Sequence, residues 1–149
     1  MKIPDEIVNL LRIKDINDTI IYFATSSLKG NTNLLPVSLT DVYLNEYILL
    51  PDLFAQKTKV NLNENRIGVV SIVLPDDYRN ITIEGPANII QWGHPKSFRF
   101  YDLTAKDILE NWGVWTDKED VLNEKNENKP QVFKQRGVIV IKAESINFN

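Results

Sequence analysis

The chain has 149 residues, a length that suits one domain with a single core. Apolar residues make up 43 % of the chain and charged residues 25 %, values that exclude wholesale disorder and a fibrous repeat. The net charge is −3 and the basic residues are scattered, so nucleic acid is not expected as a partner. The chain has no cysteine and one histidine, His94, which excludes thiolate chemistry and a multi-histidine metal site within one subunit.

Hydropathy gives no sign of a membrane segment. No apolar run approaches the roughly 20 residues that a membrane helix requires. The N-terminus also lacks the basic-then-apolar pattern of a secretion signal. We therefore expect a cytoplasmic protein that has no membrane partner.

The first 50 residues predict a short helix and three strands. Pro4 at the first helical position, followed by acidic residues and an apolar stripe, predicts the helix. Residues 19–25 and 34–44 predict a β-hairpin, since both are rich in strand-forming residues and a turn separates them. Pro36 lies inside the second of these strands and cannot donate a ladder hydrogen bond. It therefore predicts an edge, a bulge, or a place where something other than a strand approaches the backbone. Residues 47–50 predict the third strand.

The rest of the chain predicts three further strands, and a segment of different composition lies before the last of them. Residues 67–74 are almost continuously apolar and are expected to be buried on both faces. A fifth strand continues to residue 90 past Gly85-Pro86, which predicts a bulge or corner. A last strand over residues 138–148 is expected to close the sheet. These elements predict a mainly β protein, a small barrel with helices at its ends, formed as one domain over residues 1–149.

Residues 92–130 differ in composition and are predicted to be a helical or loop insertion within that domain. Thr104 and Asp107 have the spacing of a helix cap, and one helix is expected after them. Residues 117–129 are polar and predict a weak helix or a mobile excursion. The aromatic residues of this region could pack in the core, lie at a dimer interface, or cover a bound ring. They are Trp92, Phe98, Phe100, Tyr101, Trp112 and Trp115.

Residues 49–62 run from an apolar strand through a loop into a helix that opens on Lys57-Thr58. A helix start has unpaired N–H groups and about half a positive charge. Lys57 adds a full charge and Thr58 a hydroxyl, so this start predicts a phosphate site. The alternative is an ordinary helix start at which both side chains are solvated. The chain lacks G-x-G-x-x-G and G-x-x-x-x-G-K-[ST], so a phosphate site here belongs to a fold other than the Rossmann or P-loop type.

Four segments together resemble the FMN-binding split β-barrel family, which includes pyridoxamine-phosphate-oxidase-like proteins and small FMN-binding proteins. Residues 20–26 resemble its first barrel strand, with an Ala-Thr pair near the end. Residues 33–38 are similar to the second strand, whose backbone passes along the flavin ring. Residues 50–62 are similar to the segment that passes the ring edge and holds the phosphate through Lys-Thr, and residues 78–87 to a later strand with Gly-x-Ala. The resemblance covers about residues 1–90 and, more faintly, 131–146.

The resemblance implies a split β-barrel of about six antiparallel strands, with FMN at the interface of a homodimer. The residues that it implies for cofactor binding are Pro36, Val37, Ser38, Pro51, Asp52, Leu53, Gln56, Lys57 and Thr58. Residues 133–137 do not match the substrate residues of the vitamin B6 oxidases. Pyridoxamine phosphate oxidation is therefore not expected, and no catalytic residue is assigned.

A flavin carries the redox chemistry itself, which suits a chain with no catalytic cysteine or histidine. The first hypothesis is an FMN-dependent oxidoreductase that passes electrons or hydride from a reduced nicotinamide to a small acceptor. A protein electron donor could take the place of the nicotinamide. The alternatives are a non-catalytic FMN protein that transfers electrons or stores flavin, and a deazaflavin-dependent reductase.

Overall fold

The computed structural model describes residues 1–12, 20–37, 40–52, 56–74, 79–91, 99–104, 107 and 137–149. These residues form two helices and ten strands. In chain order the elements are α1 (Asp5–Arg12), β1 (Ile20–Ser26), β2 (Thr32–Val37), β3 (Asp41–Tyr43), β4 (Tyr47–Asp52), α2 (Gln56–Glu64), β5 (Ile67–Leu74), β6 (Arg79–Gln91), β7 (Arg99–Phe100), β8 (Leu103–Thr104), β9 (Gly137–Lys142) and β10 (Ser145–Phe148).

Eight of the strands form one antiparallel sheet in the order β2-β1-β5-β6-β9-β4-β3, with β10 paired to β6. Strands β7 and β8 form a separate hairpin. The sheet is not closed, because β2 and β3 are the two ends of its path in the described residues. The predicted mainly β, split-barrel fold is confirmed. The expectation that the last strand closes the sheet is wrong, since β9 and β10 both pair with the central β6.

Strand β6 divides the sheet into two halves. Up to Pro86 it pairs with β5, and from Ala87 onward it pairs with β9. Gly85 lies at this change of partner, where the backbone of the β9–β10 connection passes so close that a side chain on Gly85 would overlap the Lys142 carbonyl oxygen. The predicted bulge or corner at Gly85-Pro86 therefore coincides with this change of partner, where two backbones approach closely.

The main core lies between the two halves of the sheet and is completed by α1. Its fully buried side chains from the strands are Ile21, Phe23, Ile48, Leu50, Val70, Ile72, Ile83, Ile139 and Ile141. Leu11 of α1 is buried against them. The helix begins one residue later than predicted, because the Pro4 carbonyl caps it by accepting the N–H groups of Ile7 and Val8, each at 3.0 Å.

Two strand predictions need correction. Residues 34–44 do not form one strand, because β2 pairs with β1 whereas β3 pairs with β4. Strand β5 is not buried on both faces, since its buried and half-buried residues alternate. The strand with burial on both faces is β9, in which residues 138–141 are all buried.

A second apolar cluster explains the burial of β9. It lies on the face of β4 and β9 opposite the main core, beneath the β7–β8 hairpin, and contains Tyr47, Leu49, Phe100, Leu103, Val138 and Val140. The Phe100 ring meets the Tyr47 ring edge to face, with centroids 6.3 Å apart. Burial raises the pKa of the Tyr47 phenol, with smaller effects from Glu46 and Asp102, so this hydroxyl is protonated at neutral pH.

For the predicted insertion, the described residues settle two points. Phe100 packs in the second cluster, whereas Tyr101 is exposed with the Lys142 ammonium 4.1 Å from its ring centroid. The predicted cap is confirmed, because the Thr104 N–H donates to Asp107 Oδ2 at 2.9 Å and the Asp107 N–H donates to Thr104 Oγ1 at 3.3 Å. The other aromatic residues, His94, the rest of the predicted helix and residues 117–129 lie outside the described residues.

Neither helix in the described part of the chain has the length and hydropathy needed to span a membrane.

Candidate functional site

The predicted site begins where β4 runs into α2. Strand β4 ends with Pro51 and Asp52, which pair with Val138 and Gly137 of β9. Helix α2 begins four residues later, at Gln56. The end of β4 is therefore held in the sheet, four residues before α2 along the chain. Leu53, also predicted to bind the cofactor, lies outside the described residues.

Helix α2 and the residue that follows it, Asn65, are held to the β1–β2 hairpin by polar contacts, which we call the α2 seam. Asn33 Nδ2 donates to Thr58 Oγ1 at 2.8 Å. Asn61 Nδ2 donates to Thr25 Oγ1 at 3.2 Å. The seam continues with Asn65 Nδ2 to Ser26 Oγ at 3.3 Å and with the Leu28 N–H to Glu64 Oε2 at 3.2 Å.

The seam is buried at its centre. Thr25, Thr58 and Asn61 are all buried, and each takes part in one of the seam hydrogen bonds. Leu62 is the only buried apolar side chain among the α2 residues whose burial is described. Because buried polar groups are costly without partners, the position of α2 depends on these bonds being formed.

The first turn of α2 carries positive potential. It contains no acidic residue, and the Lys57 side chain is exposed. Among the described residues, no carboxylate forms an ion pair with Lys57. The helix dipole and the first-turn N–H groups, which have no partner within the helix itself, add to this charge, so an anion is favoured at this end of α2.

Thr58 is placed differently from Lys57. Its side chain has 0 % exposure, and its hydroxyl oxygen accepts the bond from Asn33. The two adjacent residues of the predicted phosphate site therefore face in different directions, with Lys57 toward solvent and Thr58 toward the hairpin. Whether Thr58 binds a phosphate stays a prediction.

Strand β2 is an edge strand, as Pro36 predicted. Pro36 is exposed and pairs with Tyr22, whereas Val37 is half-buried against the main core. Asn33 lies three residues before Pro36 on this strand, about 10 Å along its length. Through the Asn33–Thr58 bond, the structure brings β2 and the start of α2 together. Ser38 lies outside the described residues.

Thr58 is the seam residue that was predicted from the sequence to bind the cofactor, whereas the polar face of α2 that joins the helix to the hairpin was not recognised. The sequence pattern that indicates the α2 seam is the spacing of Thr58, Asn61 and Asn65. This spacing places polar side chains on one face of a helix, where apolar residues usually face the core. Their partners cannot be read from that spacing, because they lie in another part of the chain. In the described residues, no group of three or more His, Asp or Glu side chains is placed to hold a metal ion.

No model of a protein family matches the chain, and no curated protein matches it. Several solved structures do. A candidate pyridoxamine 5'-phosphate oxidase from Lactobacillus delbrueckii superposes with a TM-score of 0.62 at 17 % identity, over 98 % of this chain and 93 % of the other. A variant of HupZ from Group A Streptococcus superposes with a TM-score of 0.61 at 17 % identity, over 99 % of both chains.

An FMN-binding protein from Syntrophomonas wolfei superposes with a TM-score of 0.56 at 19 % identity, over 96 % of this chain and 84 % of that protein. At these identities, the likeness establishes the fold. The resemblance drawn from the sequence is confirmed at that level: the chain has the fold of pyridoxamine 5'-phosphate oxidase-like, FMN-binding proteins.

Proposed function

We propose that this chain, which has the pyridoxamine 5'-phosphate oxidase-like fold, binds FMN with the phosphate at the start of α2 and the ring beside β2 and the end of β4. The observation that carries the proposal is the exposed Lys57 on a helix start without acidic residues, joined by the Asn33–Thr58 bond to an edge strand. The FMN-binding protein of the same fold supports the choice of cofactor.

The donors at the start of α2 suit a phosphate. The first-turn N–H groups and the Lys57 ammonium carry positive charge, and Gln56 and Thr58 complete the predicted set. On the ring side, β1 is the neighbour of β2 among the described strands, so β2 lies at an edge of the described sheet. Pro36, Val37 and Ser38 of this segment, with Pro51, Asp52 and Leu53, are the residues we propose for the ring.

A bound flavin supplies the electron-transfer chemistry, and the protein binds and orients it. We propose an oxidoreductase that uses electrons from a reduced nicotinamide or a protein donor. A non-catalytic electron carrier or flavin store would use the same site, and pyridoxamine phosphate oxidation is not proposed. Catalytic residues stay unassigned, and the single domain over residues 1–149 and the cytoplasmic location stay predictions.

Purified protein is expected to show the visible absorption bands of oxidised flavin, with FMN released on denaturation, because the phosphate site and the ring site hold one nucleotide. Absorption spectroscopy and identification of the released ligand would check this. A deazaflavin spectrum, or failure to bind added FMN, would overturn the proposal. Steady-state oxidation of a reduced nicotinamide would then separate the oxidoreductase from the carrier or store.

We also propose that the protein is a homodimer. The β7–β8 hairpin covers the outer face of β4 and β9, whereas neither apolar cluster of the described residues includes a side chain from the outer face of β1, β2 and β5. That outer face includes Leu34, Ile20 and Ile67, which are 60 %, 43 % and 46 % exposed. An apolar face of this kind is suited to burial against a second copy of the chain.

Light scattering is expected to give twice the 17.1 kDa mass of one chain. Leu34→Lys is expected to shift the protein toward the monomer, because a charge in an apolar interface loses its hydration without gaining a partner. Leu28→Lys is the matched control, since Leu28 is 76 % exposed but lies in the β1–β2 turn. A wild-type monomer would contradict the homodimer, and a Leu34→Lys protein that stays dimeric would contradict this interface.

A further inference from the structure

Most of the buried polar side chains in the described part of the chain lie in the α2 seam. Four side chains of this type are buried, and three of them are Thr25, Thr58 and Asn61. The fourth, Thr40, bonds elsewhere, to the carbonyl of Leu11. A concentration of buried polar groups fixes one arrangement of the elements that share them, because any shift leaves donors or acceptors unsatisfied.

The Asn33–Thr58 bond is the part of the seam that controls the start of α2. Thr58 follows Lys57 directly and lies within the first turn, whereas Asn65 lies beyond the end of the helix. The two bonds are chemically alike, an asparagine amide donating to a hydroxyl oxygen, at 2.8 Å and 3.3 Å. Residues 58 and 65 are about 10 Å apart along the helix axis. Loss of the first bond should therefore disturb the first turn, and loss of the second should disturb the far end.

The burial of Thr58 limits what its hydroxyl can do. With 0 % of its side chain exposed, Thr58 does not face the solvent in which Lys57 lies. Its oxygen accepts from Asn33, and its hydroxyl proton, which is the group that a phosphate would bind, is enclosed with the rest of the side chain. An anion that approaches from solvent therefore meets the Lys57 ammonium and the first-turn N–H groups, while Thr58 holds those groups in place.

We propose that Asn33 and Thr58 are a pair of positioning residues, which anchor the first turn of α2 to β2 and so set the place of the phosphate relative to the ring. This rests on the proposed FMN site and assigns its residues different roles. Lys57 and the backbone meet the phosphate, and Thr58 acts through Asn33. The pair also fixes the distance between the two parts of the site, since Asn33 lies on the strand that carries Pro36 and Val37.

The test is a double-mutant cycle with FMN and riboflavin as the two ligands. Asn33→Ala and Thr58→Val are each expected to weaken FMN about tenfold and riboflavin much less, because riboflavin has the same ring and no phosphate. The double variant is expected to lose no more FMN affinity than either single variant, since both changes break the same bond. Thr58→Ser keeps the hydroxyl and is expected to bind FMN within about twofold of wild type.

Asn65→Ala is the control, because it removes the same kind of bond from the other end of the seam. It is expected to leave the ratio of the FMN and riboflavin dissociation constants unchanged. Thermal unfolding would show that each variant is folded, and if Asn33→Ala does not fold, the comparison of Thr58→Val with Thr58→Ser decides. Retention of the wild-type ratio by Thr58→Val would overturn the inference.

Two other results would also overturn it. A double variant whose FMN loss equals the product of the two single losses would mean that Thr58 contacts the phosphate independently of Asn33. An Asn65→Ala protein with the same change of ratio as Asn33→Ala would mean that general loosening of α2 is responsible. In both cases wild type still binds FMN, so the proposed function stands. If wild type binds neither ligand, the proposed function fails and this inference fails with it.

Discussion

Lys57→Ala is expected to weaken FMN binding by about one to two powers of ten and to leave riboflavin binding almost unchanged. The change deletes a charge-assisted contact with the phosphate, worth about 1.5 to 3 kcal/mol, and each 1.4 kcal/mol is a factor of about ten in affinity. Riboflavin shares the ring contacts at Pro36, Val37, Pro51 and Asp52 but has no phosphate. Fluorescence titration of both ligands against both proteins would measure the difference.

Lys29→Ala is the matched control for this experiment. Lys29 is also exposed, and its removal changes the net charge of the protein by the same amount, but it lies in the β1–β2 turn. It is expected to leave both affinities unchanged. Equal losses of FMN and riboflavin in Lys57→Ala would show that Lys57 supports the fold of α2 and does not bind the phosphate.

Gly85→Ala is expected to lower the free energy of unfolding by about 3 kcal/mol or more, the upper end of the cost of overpacking. The added methyl group would overlap the Lys142 carbonyl oxygen and lie 2.9 Å from the Lys142 carbonyl carbon and 3.2 Å from the Glu144 nitrogen. These are backbone atoms and cannot rotate away as a side chain can. They are held in place by the bond from the Glu144 N–H to the Glu84 carbonyl, at 3.0 Å. Urea denaturation of the two proteins would measure the loss.

Gly30→Ala separates this steric effect from a general cost of replacing glycine. Gly30 has a φ of 85° in the β1–β2 turn, and a methyl group there would have no neighbour within 4 Å. Its expected cost is about 1 to 2 kcal/mol, from the left-handed backbone alone. A Gly85→Ala protein that is no less stable than Gly30→Ala would contradict the close packing at the corner.

Local signals were enough to predict most of the elements. Strands β1 and β5 follow runs rich in β-branched residues, β4 follows a short apolar run after a turn, and the cap at Thr104 follows from its spacing to Asp107. The edge position of Pro36 and the corner at Gly85 were also predictable. Both follow from what one residue can do, since proline has no N–H to donate and glycine alone lets two backbones meet.

Local sequence signals could not predict which strands pair or which faces of the strands are buried. Residues 34–44 have a composition typical of strands over both β2 and β3. That β2 pairs with β1 whereas β3 pairs with β4 depends on segments that are distant along the chain. The outer residues of β5 are as apolar as those of β9, yet only β9 is buried on both faces. The difference comes from the β7–β8 hairpin, which covers one half of the sheet and not the other.

The candidate site also has one part that the sequence could predict and one part that it could not. Lys57 at a helix start was recognisable from the sequence because the charge, the hydroxyl and the N–H groups of a first turn are neighbours along the chain. The partners of that helix were not, because Asn33 lies 25 positions from Thr58 and Thr25 lies 36 positions from Asn61. Contacts over such separations form only when the sheet has brought β1 and β2 beneath α2. Folding alone therefore makes Thr58 a buried partner of Asn33 while its neighbour Lys57 stays in solvent.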